Sequence, residues 1–249
     1  MEKHLKAKLS DLYNSYGLIS LKGGTEWEDM DYSEIEFLNK LTLPQVPLLV
    51  KIAGPEARVD IRNLKQIGVG GILGPMIESE YALEKFVTTV LGIYSDVEKK
   101  PLLAVNIETI NGVNNIVPIL SNDYFNQIAL VVIGRLDLST SMGKQDVDNQ
   151  EVAEITQTIV TKVQAKGKNI SIGGFVNPKS AKSIQAAFQI DRLNTIHLMF
   201  DLNRVTDVSQ SIELAIRFEI DLYEQMKQIN PQRTPFYDNR IAISQKKLE

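Results

Sequence analysis

One feature constrains this chain more than any other: short, nearly unbroken apolar runs alternate with longer amphipathic stretches from one end to the other. The runs are Gly17 to Lys22, Pro47 to Ala53, Gly70 to Met76, Pro101 to Glu108, Ile128 to Gly134, Asn169 to Val176 and Thr195 to Asp201. A strand that is apolar throughout, instead of at every second residue, is covered on both faces, as in a parallel sheet flanked by helices. The stretches between carry helical periodicity. Ser33 opens one with Ile35, Leu38 and Leu41; Ala57, Ile61 and Leu64 stripe the next; Ser79 to Tyr94, Ile110 to Leu120 and Val152 to Lys166 follow. Pro178 sits where the first turn of a further helix accepts it. Strand and helix in strict succession predict a parallel α/β fold. With no Ser/Pro/Gly-rich linker to divide it, the chain reads as a single barrel domain over 1–231 with an N-terminal helix, and a C-terminal tail over 232–249.

A closed barrel and an open doubly wound sheet share this alternation, so the loops must separate them. No Gly-x-Gly-x-x-Gly follows the first strand and no Gly-x-x-x-x-Gly-Lys-Ser/Thr occurs anywhere, which argues against a nucleotide-binding sheet. Charged residues recur instead at the C-terminal ends of the runs: Lys22 and Glu26, Lys51, Glu78, Glu108 and Asp137. In a (β/α)8 TIM barrel that face is where catalytic residues converge. Seven runs are evident where a barrel needs eight, so the eighth strand is missing, too short to see, or replaced by the N-terminal helix.

Composition narrows the chemistry. There is no cysteine, which excludes disulfides, zinc–thiolate sites and thiol nucleophiles, and the only two histidines are His4 and His197. Catalysis is therefore pushed toward carboxylates, lysines and hard metals. The net charge of −4 gives no reason to expect nucleic acid or an anionic membrane as partner. Nothing approaches the run of about 20 apolar residues that crosses a bilayer, and no secretory signal opens the chain, so a cytoplasmic protein is expected.

The most informative segment is Ile133 to Gly143, IGRLDLSTSMG, directly after the most apolar run. It places Asp137 near one strand end, while Glu108 in VNIET stands at the end of the preceding one. Two such carboxylates can share one hard divalent cation and leave positions for water and a bidentate substrate. The plainer alternative is that both sit at helix N-termini, where the backbone favours negative charge.

Three segments in order, GVGGILGPMIESEYALEKFV, NIETINGVNNI and VVIGRLDLSTSMG, resemble the HpcH/HpaI aldolase/citrate lyase family of pyruvate- and phosphoenolpyruvate-binding barrels. The resemblance implies that Glu108 and Asp137 bind Mg2+ or Mn2+, and that the ion holds a small 2-oxo acid whose enolate forms during C–C cleavage. It also implies a cation beside the oxygen, usually an arginine; here the matching residue is Lys51, a point charge without the arginine's bidentate fork. The family's histidine base has no counterpart in SLKGGTEWEDMDYSE, where Glu26, with Lys22 as cationic partner, is the first candidate and Glu28 and Asp29 are rivals. Arg135 stands where relatives carry proline and is placed to reach a substrate carboxylate or to pair on the rim. His197 is expected as a neutral core residue.

Ser209 to Gln228 carries apolar residues on two faces, Ile212, Ile216 and Tyr223 on one and Leu214, Phe218 and Leu222 on the other, so that helix wants two neighbours. The resemblance implies that the second is another subunit, through C-terminal helix exchange in a homo-oligomer, a trimer or hexamer. The tail after Pro231 is then an arm or a loose end. The readings that rival a metal-dependent lyase are a non-catalytic 2-oxo-acid or phosphoester-binding barrel, and a CoA-thioester lyase or phosphoenolpyruvate-using enzyme.

Overall fold

The computed structural model describes residues 2–249. In chain order it contains α1 (Glu2–Ser15), β1 (Leu18–Gly24), α2 (Tyr32–Leu41), β2 (Leu48–Lys51), α3 (Arg58–Ile67), β3 (Gly71–Gly74), α4 (Glu80–Ile93), β4 (Leu102–Asn106), α5 (Ile110–Asn114) and α6 (Ile116–Ser121). There follow β5 (Leu130–Gly134), α7 (Arg135–Ser141), α8 (Gln150–Gln164), β6 (Asn169–Gly173), α9 (Pro178–Ala187), β7 (Arg192–Asn194), β8 (Leu198–Asp201), α10 (Val208–Ile229) and α11 (Thr234–Lys246).

The strands close into a barrel in the order β1 to β8, with helices outside. Neighbours from β1 through β7 are parallel, but β8 runs antiparallel to both β7 and β1, which corrects the expectation of a wholly parallel sheet. The strand hidden in the sequence is β7, only three residues long. It turns back through Thr195 to His197, where the Thr195 N–H donates to the Leu198 carbonyl at 2.9 Å. A parallel connection needs a crossover of a dozen or more residues, so a turn this short forces β8 to reverse.

Side-chain alternation sorts the barrel into two apolar regions. Leu49, Leu73, Ala104, Leu130, Val132 and Met199 fill its interior, while the larger cluster lies between strands and helices. Inward positions nearer the C-terminal ends of the parallel strands change character to Lys22, Lys51, Asn106 and Glu108, all buried. A plug of aliphatic side chains thus floors a polar cup, because successive inward residues climb the barrel axis two at a time.

The helix expected over Ile110 to Leu120 is broken into α5 and α6 at Asn115. Pro118 is the cause: it has no N–H for the Asn114 carbonyl and its ring crowds that oxygen. The two-faced helix is α10, and the neighbour assigned to another subunit comes from the same chain. Residues 234–246, expected as an arm or loose end, form α11, which stacks Tyr237 on Tyr223 of α10 with ring centroids 5.9 Å apart.

Candidate active site

A cavity of about 200 Å³ opens at the C-terminal ends of the parallel strands. Its inner wall carries Lys22 from β1, Lys51 from β2, Asn106 and Glu108 from the end of β4, and Asp137 from the first turn of α7. The two carboxylates picked out by motif therefore meet across neighbouring strands. Gly134, the last residue of β5, makes room for them: a Cβ built there would run into Glu108 Oε2. Gly173 does the same for Asn194 on the opposite wall.

Glu108 is 2 % exposed; Oε2 accepts from the Asn106 side-chain amide and Oε1 from the Met76 backbone N–H at 3.2 Å. Burial raises its pKa to about 7, with Lys51 opposing. Burial also pushes the Asp137 carboxyl up, again against Lys51, and the nearby Glu108 is within hydrogen-bonding reach of it. Asn106 Oδ1 has no partner.

Lys51 is the hub. Its Nζ lies 2.5 Å from Glu26 Oε2 and 3.9 Å from Glu28 Oε2. Burial works against its charge, yet Glu28, Glu108 and Glu26 outweigh it and hold the amine above its ordinary value. Lys22, by contrast, has no carboxylate within 4.0 Å among the described residues, and burial lowers its pKa although Glu28 opposes. Burial pushes Glu28 up, but Lys51 and then Lys22 overcome it and keep the carboxyl below the usual range.

The other sequence candidates divide. Glu26 reaches the site only through Lys51, and it is Glu28, the rival, that lines the cavity. Arg135 does not line it; its guanidinium turns to Asp148 Oδ1 at 2.8 Å. His197 lies in the turn before β8, 3 % exposed, with Nδ1 2.9 Å from the Lys22 carbonyl and its backbone N–H donating to Glu219 Oε1 at 2.8 Å. Burial lowers its pKa, Glu219 opposing, so the ring is a neutral donor that braces β1. Sequence reasoning missed Asn194 and Thr195, on and after the short β7, and missed Ile243 and Lys247 from the C-terminal segment entirely. An Asn-Thr pair before an apolar run carries no signal without the strand pairing, and no local pattern brings residue 247 to a barrel mouth.

Among the described residues no cluster of three or more His, Cys, Asp or Glu side chains could hold a metal. A pair of carboxylates still fits a hard divalent ion, since Mg2+ keeps several waters and takes only one or two protein carboxylates. The electrostatics of the pair point the same way. Burial raises the Glu108 and Asp137 carboxyls in spite of Lys51, so a cation bound between them would favour their charged forms.

The fold is shared with solved structures. An HpcH/HpaI aldolase/citrate lyase family protein from Burkholderia cenocepacia J2315 superposes with a TM-score of 0.63 at 14% identity, covering 79% of this chain and 83% of that one. An HpcH/HpaI aldolase from Desulfitobacterium hafniense DCB-2 gives 0.60 at 17%, covering 77% and 81%. A citrate lyase from Burkholderia xenovorans LB400 gives 0.62 at 12%, covering 98% and 88%. No curated protein matches the chain by sequence. No described helix is long and apolar enough to cross a membrane. The sequence profile of the HpcH/HpaI aldolase/citrate lyase family matches residues 36–191, which span β2 to β6 and both motif carboxylates, and the chain belongs to that family of aldolases and citrate lyases.

Proposed function

We propose that this protein is a divalent-metal-dependent C–C lyase that stabilises a pyruvate-type enolate drawn from a small 2-oxo acid. The observation that carries the reading is the pairing of buried Glu108 with half-buried Asp137 on the wall of a cavity that Lys51 also lines. These two carboxylates would hold Mg2+ or Mn2+, which when bound supplies Lewis-acid stabilisation of the negative charge that develops on the carbonyl oxygen.

The chain's own residues do the rest. Lys51, kept charged by its carboxylate neighbours, faces the substrate oxygens as a fixed cation in a site largely closed to water. Lys22, with no carboxylate within 4.0 Å among the described residues, is free to bind the substrate carboxylate. Glu26 fixes the position of the Lys51 ammonium, and Glu28, held ionised on the cavity wall, is placed to take and return the proton at C3. Val132, Leu136 and Val176 supply apolar wall that limits water access to the carbanion carbon.

Incubation with pyruvate and Mg2+ in D2O tests this directly: the methyl proton signal decays through exchange. No exchange at full metal loading would sink the enolate reading and leave a 2-oxo-acid-binding barrel. Asp137→Ala abolishes divalent-metal binding in calorimetry while far-UV circular dichroism is unchanged; retained affinity removes Asp137 from the site. The family resemblance also leads us to propose a cytoplasmic homo-trimer or hexamer, which light scattering on the purified chain reads as a mass three or six times that of the protomer.

A further inference from the structure

Behind the active-site wall lies a second, smaller cavity, where the segment carrying Glu28 and the turn before β8 meet α10 and α11. It leaves about 10 Å³ to the centre of a water-sized sphere, room for one water molecule. Glu28 borders both cavities. The other polar residues around the small one are His197, Tyr223 of α10, and Tyr237 and Arg240 of α11. Arg240 is engaged elsewhere: its guanidinium donates to the Trp27 carbonyl at 2.6 Å and lies 3.8 Å from the Trp27 ring centroid.

Three groups around this cavity have bonding capacity to spare. Glu28 Oε2 and the Tyr223 hydroxyl are buried without a hydrogen-bond partner. The His197 ring donates from Nδ1 to the Lys22 carbonyl at 2.9 Å, so in its neutral form it keeps a lone pair on Nε2. A carboxylate oxygen and an imidazole lone pair accept, a phenol O–H donates, and a single water satisfies all three. Next to His197 stands Glu219, wholly buried in α10. Its Oε1 accepts the His197 backbone N–H at 2.8 Å, while Oε2 has no partner and the carboxylate makes no ion pair among the described residues. A buried carboxylate left without a cation costs free energy, which a proton on the neighbouring imidazole offsets. Burial disfavours charge on that ring, as does Arg240, whereas Glu219 and Glu28 favour it.

We propose that the small cavity binds one water between Glu28, His197 and Tyr223, and that this water makes a proton relay from the active site to the buried His197–Glu219 pair. The relay rests on the reading of Glu28 as the base at C3; the water site does not. As the Glu28 carboxyl gives its proton to the water, the water gives one of its own to His197 Nε2, leaving a carboxylate, a water and an imidazolium beside Glu219. The return reverses both transfers. The proton taken from the substrate is thereby withdrawn from the enolate carbon, which otherwise recaptures it, and the one that comes back is drawn from the water. His197 acts through Glu28 and touches no substrate atom, so it is a positioning residue for the proton.

Two experiments test this. A crystal structure of the chain at a resolution that shows ordered water is expected to place one molecule within about 3.2 Å of Glu28 Oε2, His197 Nε2 and the Tyr223 hydroxyl. A cavity closed over by side chains, or a water that touches neither Glu28 nor His197, overturns the site. Pyruvate methyl exchange in D2O with Mg2+ is then measured for His197→Asn, whose amide keeps a donor for the Lys22 carbonyl without a basic nitrogen, and for Tyr223→Phe, which takes a donor from the water and keeps the ring. The maximal exchange rate is expected to fall roughly tenfold or more in the first and about threefold in the second, with KM for pyruvate within about twofold of wild type in both. A merely structural role in bracing β1 displaces Lys22 and raises KM instead. Maximal rates equal to wild type, or a raised KM with the rate unchanged, overturn the relay; Tyr223→Phe decides alone if His197→Asn does not fold. No exchange by the wild type overturns the enolate reading and the relay with it, whereas a water seen on the three atoms upholds the site in either case.

Discussion

Replacing Glu108 with glutamine separates the electrostatic cost of the inner site from its packing. In the metal-free protein the Glu108 carboxyl rises from its ordinary 4.5 to about 7 because it is buried. Between those two pH values the folded chain binds a proton that the unfolded chain has released. Stability contributed by this group is therefore fully present below pH 4.5 and lost as pH rises through 7. At about 1.4 kcal/mol for each pH unit the loss amounts to about 3 kcal/mol. Glutamine cannot ionise, so the variant lacks this component of the pH dependence. Its packing is preserved by a local exchange: the Asn106 Oδ1 atom, unpartnered in the native site, accepts from the new amide once Asn106 turns over, while the Met76 N–H keeps an oxygen acceptor. Urea denaturation of wild type and Glu108→Gln at pH 5 and pH 8, without metal, measures the difference. Wild type is expected to lose about 2.5 kcal/mol relative to the variant across that range. Added Mg2+ restores wild type at pH 8 and does little for the variant, since binding to the folded state alone adds stability. Parallel pH dependences for the two proteins would refute the account of Glu108 as a buried carboxylate short of a cation.

Three further outcomes follow from the same geometry. Gly134→Ala pushes a methyl into the Glu108 carboxylate and should weaken metal affinity at least about tenfold in calorimetry, with the fold kept because the backbone there is not in the left-handed region. Lys51→Met leaves the buried Glu28 without its nearest cation and Glu26 without its ion pair; it should cost about 3 kcal/mol in chemical denaturation, and a loss below about 1 kcal/mol would show that Lys51 is not the hub. Arg240→Ala unpins α11 from the mouth, so Trp27 emission should shift to the red and quench more readily with acrylamide; an unchanged spectrum would mean that contacts such as the Tyr223–Tyr237 stack and the Lys227–Asp238 ion pair suffice to hold α11.

How much was legible in the sequence depends on whether local order carries the information. Continuous apolar runs report strands covered on both faces, and the spacing of strand ends in a barrel repeats so regularly that Glu108 and Asp137 could be placed together from their positions after neighbouring runs. Lys22 and Lys51 were legible for the same reason, as charged inward residues closing apolar strands. The strand β7 was not, because three residues contain too little periodicity to register, and with it went Asn194 and the reversal of β8. Arg135 stands in the same segment as Asp137 yet faces Asp148, a difference of direction that spacing along the chain does not encode. The sequence by itself determined an alternation of covered apolar strands and helices, with two carboxylates and two lysines at the C-terminal ends of the runs, since each of those facts is written in residues adjacent along the chain. Only the tertiary structure decided which carboxylate lines the cavity, what covers α10, and that Lys247 reaches the mouth, because these depend on contacts between residues as far apart as Trp27 and Arg240, whose meeting no local pattern announces.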